Sequence, residues 1–64
     1  MTVRAYRRAR EISQESMAKQ LGVSVGTYQN WEKEPEKITI ANAVKIAKIF
    51  GVSMNEIEFK NEEQ

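Results

Sequence analysis

Between Leu21 and Val25 the chain has three residues, Gly22-Val23-Ser24, in which to stop one helix and start another, and this spacing constrains the fold more than any other feature. Glycine takes the left-handed conformation that ends a helix without a Cβ penalty, and serine supplies an acceptor for the free N–H groups of the next helix. Upstream, Ser13 is placed to cap a helix from Gln14 to Leu21, with Met17, Ala18 and Leu21 on one face. Downstream, Val25 to about Lys33 reads as a further helix in which Tyr28 and Trp31 share a face. Two amphipathic helices joined by so short a turn must meet closely, with their apolar faces on a common core.

The flanking segments extend this pattern. Val3, Tyr6 and Arg10 recur at helical spacing, so residues 2–10 form a first helix with an arginine-rich outer face, closed onto the core by Ile12. Glu32 to Lys37, with the single proline, Pro35, lacks apolar residues and is the obvious long loop. Thr39 caps a fourth helix whose apolar stripe is Ile40, Ala43, Val44, Ala47 and Phe50, with Asn42, Lys45 and Lys48 opposite and Gly51 as its stop. Ser53-Met54-Asn55-Glu56 fits a capping box that starts a short fifth helix through Ile57 toward Phe59, and residues 61–64 are expected to fray. The expected fold is all-α: one domain over residues 1–60, a compact bundle of four to five short helices with a central helix-turn-helix unit at about 14–33.

A 64-residue chain buries only about 60% of the surface its unfolded form exposes, so the core must be economical. With no cysteine and no histidine, it has neither disulfides nor a Cys/His zinc site, and it lacks the commonest general base. No Gly-rich phosphate loop or metal-ligand cluster is present, which argues against an enzyme and against a cofactor. No apolar run approaches the roughly 20 residues that span a bilayer, and no secretory pattern opens the chain, so the expectation is a cytoplasmic protein without membrane contact. The net charge of +1 is uneven: residues 1–31 carry +3 and the remainder −2. A basic half suits a polyanionic partner.

Met17, Leu21, Val23, Tyr28 and Trp31, with Ala18 where two helices cross and Gly22 in the turn, resemble the helix-turn-helix signature of the Cro and phage-repressor (XRE-like) family. The similarity runs through the flanking helices, including Phe50-Gly51-Val52-Ser53, and covers nearly the whole chain. It implies a sequence-specific regulator of transcription, a repressor, that reads the major groove of duplex DNA with its third helix.

If Tyr28 and Trp31 point inward, Val25, Gly26, Gln29 and Asn30 face outward, with Thr27 near the edge. Gln and Asn pair bidentately with adenine and valine can meet a thymine methyl. Val25, Gly26, Gln29 and Asn30 are therefore the candidate base-reading residues. Gly26 either allows close approach to DNA or is simply a cheap first-turn glycine. Gln14, at the start of the second helix, matches a family position that clamps a phosphate where free N–H groups and the helix dipole favour an anion. Ser24, Thr27, Lys33 and Lys37 are further phosphate candidates, with Arg4, Arg8 and Arg10 as weaker ones. Arg7 and Glu32 match a family salt bridge that joins the first helix to the end of the third. Tyr28, Trp31 and the methionines are assigned to the core rather than to base stacking.

The chain departs from the family in its loop, Glu32-Lys33-Glu34-Pro35-Glu36-Lys37, where glutamates stand among the basic residues that family members often carry. Weak phosphate contact there leaves affinity to a homodimer on a palindromic operator, whose recognition helices would lie roughly 34–36 Å apart. Ile57 and Phe59 either form the dimer surface or cap the core, or the chain is the DNA-binding part of a longer repressor. A rival reading is a protein-interaction module, antirepressor- or antitoxin-like, in which this fold binds a regulatory protein.

Overall fold

The structure, a computed structural model, describes residues 1–60. Four α-helices, α1 (Val3–Ala9), α2 (Gln14–Leu21), α3 (Val25–Lys33) and α4 (Ile40–Phe50), are joined by short turns. Single 3₁₀ turns lie at Pro35–Lys37 and Met54–Glu56. Among the described residues there is no β-sheet, only an isolated parallel bridge between Thr2 and Glu58. The fold is all-α.

Local chemistry fixes each helix start in the same way. The hydroxyls of Thr2, Ser13, Ser24 and Thr39 accept from the N–H groups of Ala5, Ser16, Thr27 and Asn42, satisfying donors that the helix itself leaves free. Gly22 and Gly51, both at φ 72°, end α2 and α4. In each case the next residue, Val23 or Val52, returns its N–H to the helix at 3.0 Å, to Ala18 and Ala47 respectively.

The helices surround one core of Val3, Met17, Ala18, Leu21, Tyr28, Ile46, Ala47, Phe50 and Ile57. Tyr6, Ile12, Val23 and Trp31 pack around it, half-buried. The face of α4 turned inward is Ala43, Ile46, Ala47 and Phe50, which corrects the expected stripe: Ile46 is fully buried whereas Ile40 is 78% exposed and Val44 only half-buried. Ile40 sits at the first position of α4, where the helix overhangs the end of the core.

Two further expectations are corrected. The loop between α3 and α4 begins only after Lys33, since Glu32 and Lys33 are helical, and Pro35 is buried. No fifth α-helix forms among the described residues. The Ser53–Glu56 capping box is present, with the Ser53 N–H donating to the Glu56 carboxylate at 2.8 Å, but it starts a single 3₁₀ turn. Ile57 is then extended and buried, and the Glu58 N–H donates to the Met1 carbonyl at 2.9 Å. The N-terminal backbone thus captures the segment before a helix can propagate. Ile57 caps the core and is not available as a dimer surface, while Phe59 is half-buried against it. The expected frayed tail, residues 61–64, lies outside the described residues.

Candidate nucleic-acid interface

The Gly22-Val23-Ser24 turn sets α3 at the edge of the molecule with one face buried and the other open. Tyr28 has no exposed surface and Trp31 is half-buried, whereas Gly26, Thr27, Gln29 and Asn30 are exposed. Val25 differs from expectation. It is half-buried and packs against the core, because the first residue of α3 still lies over the turn. Gly26 meets nothing within its own chain that would require glycine: a Cβ there would have only the Ser24 hydroxyl, at 4.0 Å, as a neighbour.

A continuous set of polar side chains runs from inside the molecule to this face. Arg7 donates from Nε to Glu32 Oε2 at 2.6 Å, from Nη2 to Oε1 at 3.3 Å and from Nη1 to the Ile12 carbonyl at 2.8 Å. It therefore ties α1, the α1–α2 connection and the end of α3 together. The side chains of Arg7 and Glu32 are 11% and 3% exposed, so the pair is largely removed from water. Glu32 Oε1 also accepts from Gln14 Nε2 at 3.0 Å, and Gln14 Oε1 accepts from Gln29 Nε2 at 3.1 Å. The ion pair, the start of α2 and the exposed face of α3 are thereby one hydrogen-bonded unit.

The electrostatics follow from this arrangement. Burial pushes the Glu32 carboxyl upward, but the hydrogen bonds from Arg7 and Gln14, with the neighbouring Tyr28 hydroxyl and the Arg7 charge, outweigh it and hold the group below the usual carboxylate range. Its bond to Glu32 raises the affinity of Arg7 for its proton. Burial, reinforced by the Glu32 carboxylate, pushes the Tyr28 phenol well above its ordinary value. The hydroxyl of Tyr28 is buried without a well-formed hydrogen bond, so the phenol serves as a core side chain with its polar end against the ion pair.

The phosphate candidates fall into distinct groups. Gln14 is half-buried and lines a shallow recess together with Arg4, Gln29, Glu32 and Lys33. Arg4 thus belongs with the main candidates. The helical i, i+3 step from Arg4 to Arg7 on the first helix is the signal that could have placed it there. Ser24 is occupied as the cap of α3 and donates its hydroxyl to Thr27 Oγ1 at 2.9 Å, which leaves the Thr27 hydroxyl hydrogen to be donated elsewhere. Lys37 is paired with Glu34 at 2.9 Å and stands outside the recess. Arg10 is committed elsewhere: it donates to the Phe50 carbonyl at 3.0 Å, and its guanidinium lies 5.0 Å from the Tyr6 ring centroid and 5.6 Å from that of Phe50.

A family model described as Helix-turn-helix matches residues 3–57, which spans all four α-helices and the second 3₁₀ turn. No curated protein and no solved structure matches the chain significantly.

Proposed function

Because the chain belongs to the Cro/C1-type (XRE) helix-turn-helix family of DNA-binding regulators, we propose that it recognises a specific duplex sequence with α3 in the major groove and acts as a repressor. The observation that carries this reading is the division of α3 into a face anchored by fully buried Tyr28 and an open face of Gly26, Thr27, Gln29 and Asn30. A single helix fits the major groove, and amide side chains read adenine edges there. Gln29 and Asn30 are the base readers. Gly26, which nothing inside the chain requires, lets the helix start approach the DNA closely. Gln14, through its backbone N–H at the start of α2, and Thr27, through its hydroxyl, contact phosphates at the helix starts, and Arg4 and Lys33 do so from the rims of the recess. Val25, half-buried, contributes at most its exposed edge, and Lys37 is held by Glu34. Arg7 and Glu32 hold α3 in place without touching DNA.

With glutamates 34 and 36 beyond α3 and a net charge of only +1, one copy neutralises few phosphates, so a homodimer on a palindromic operator supplies the affinity. In vitro selection from a randomised duplex library at moderate salt tests the reading. The intact chain should enrich a palindromic site, and Gln29→Ala plus Asn30→Ala should lose it. Failure of the folded chain to enrich any duplex would replace direct operator reading with binding to a protein partner.

A further inference from the structure

We propose that Glu32 is a positioning residue which, acting through Gln14, fixes which amide atoms Gln29 presents outward and makes Gln29 select adenine over guanine. The inference rests on the proposed role of α3 as the groove-reading helix and adds the origin of its base preference. An ionised carboxylate can only accept hydrogen bonds. Glu32 takes two from Arg7 and one from Gln14, at 3.0 Å, so Gln14 must turn its NH2 group inward and its Oε1 toward Gln29. Gln29 must then donate one N–H to that oxygen, as it does at 3.1 Å. What remains on Gln29, an exposed side chain, is one N–H and one carbonyl oxygen.

That pair matches one purine and not the other. Adenine presents an acceptor at N7 and a donor at N6 in the major groove, whereas guanine presents acceptors at both N7 and O6. A glutamine free to rotate could turn both of its N–H groups to guanine. Here one is already occupied, and guanine O6 would meet the Gln29 oxygen. The polarity of the whole chain of bonds is set at its buried end, where Glu32 is 3% exposed and held ionised by Arg7.

Glu32→Gln tests the proposal by changing polarity with almost no change of shape. Arg7 Nε, with the shorter bond, keeps an oxygen at the Oε2 position, so the new amide places its NH2 at the Oε1 position, giving up the 3.3 Å bond from Arg7 Nη2 and facing Gln14, which then accepts and turns its own NH2 toward Gln29. Gln29 accepts through its oxygen and both of its N–H groups face outward, the pattern guanine can use. Gln29→Ala first identifies, within the site selected by the native chain, the base pair that Gln29 reads. At that pair the adenine-to-guanine ratio should fall about tenfold in Glu32→Gln, with guanine gaining, while ratios at other positions hold.

Helical circular dichroism verifies folding, and Gln14→Ala, which leaves the Arg7–Glu32 pair intact, provides the independent arm if Glu32→Gln does not fold. It should erase most of the preference, again about tenfold, at the same pair. An unchanged ratio in a folded variant, or a loss spread evenly over all positions, would make Glu32 purely structural and overturn the proposal while operator reading stands. If Gln29→Ala moves no position of an enriched site, the proposal fails because Gln29 reads no base. Enrichment of no site by the native chain overturns the proposed operator reading itself.

Discussion

The sequence Gly-Val-Ser occurs twice, at Gly22–Ser24 after Leu21 and at Gly51–Ser53 after Phe50, and the two turns have nearly the same backbone. Both glycines lie at φ 72°, with ψ of 31° and 33°, and both valines return an N–H bond of 3.0 Å to the helix just ended. Four residues after each serine stands a buried side chain, Tyr28 or Ile57. Yet the first turn launches a nine-residue helix and the second a three-residue 3₁₀ turn. The turn therefore dictates where a helix stops but not whether the next one propagates. Helix propagation needs repeated support, and α3 has a second anchor one turn further on, in half-buried Trp31. The corresponding position after Ser53 is exposed Lys60, and Glu58 has already bonded to Met1.

The largest contrast is expected from the arginines that brace the two regions. Arg7→Ala leaves Glu32 buried and unpaired, and should cost about 3–5 kcal/mol in urea unfolding. Arg10→Ala removes a bond to the Phe50 carbonyl near the second turn and should cost about 1 kcal/mol. Equal losses would show that the first region owes nothing special to its ion pair. Acidification sharpens the same point. Glu32 has a depressed folded-state pKa, so its stabilisation is fully present above the ordinary value of 4.5 and is lost as pH falls through the folded value. The urea midpoint should drop on acidification below about pH 4.5 in the native protein, and less in Glu32→Gln.

Smaller effects separate the turns themselves. Gly22→Ala and Gly51→Ala each place a Cβ on left-handed backbone with open space around it, so each should cost about 1–2 kcal/mol by thermal melting. Only Gly22→Ala should also weaken DNA binding when compared at a temperature where both variants are folded, because only that turn aims α3. Loss of binding in both would show that the second turn also supports the interface. Last come the serines. Ser24→Ala removes a cap bonded to the Thr27 N–H and should cost about 1 kcal/mol, whereas Ser53→Ala, which caps a single 3₁₀ turn, should cost measurably less.

Caps and stops were legible in the sequence because they are local: Ser13, Ser24, Thr39, Gly22 and Gly51 act within four residues of themselves. Tyr28 and Met17 were legible as core through helical period. What escaped was set by partners distant in the chain. Ile40 falls outside the core and Ile46, left out of the expected stripe, lies inside it, because the helix starts beyond the end of the core. The fifth helix fails because Met1 competes for Glu58, and Arg10, an exposed residue, is tied to the Phe50 carbonyl rather than held free for a phosphate. At the interface, the exposed residues of α3 could be read from periodicity, but Val25 could not, since the turn itself covers it. The link from Gln29 through Gln14 to Glu32 depends on three side chains on two helices, and no spacing in the sequence encodes their amide directions.

The bridge between Thr2 and Glu58, with the Met1 ammonium 3.1 Å from the Glu58 carboxylate, bears on the order in which the molecule assembles. The pair α2 and α3 meets across a three-residue turn, whereas this contact closes a loop around almost the entire described chain. Closing a longer loop costs more chain entropy, though only slowly with length. The bridge gains most once α1 and α4 have docked and already hold its two ends near each other. It should then be late to form and early to open, and amide exchange at Glu58 should run ahead of exchange at Tyr28, whose release requires the core to come apart.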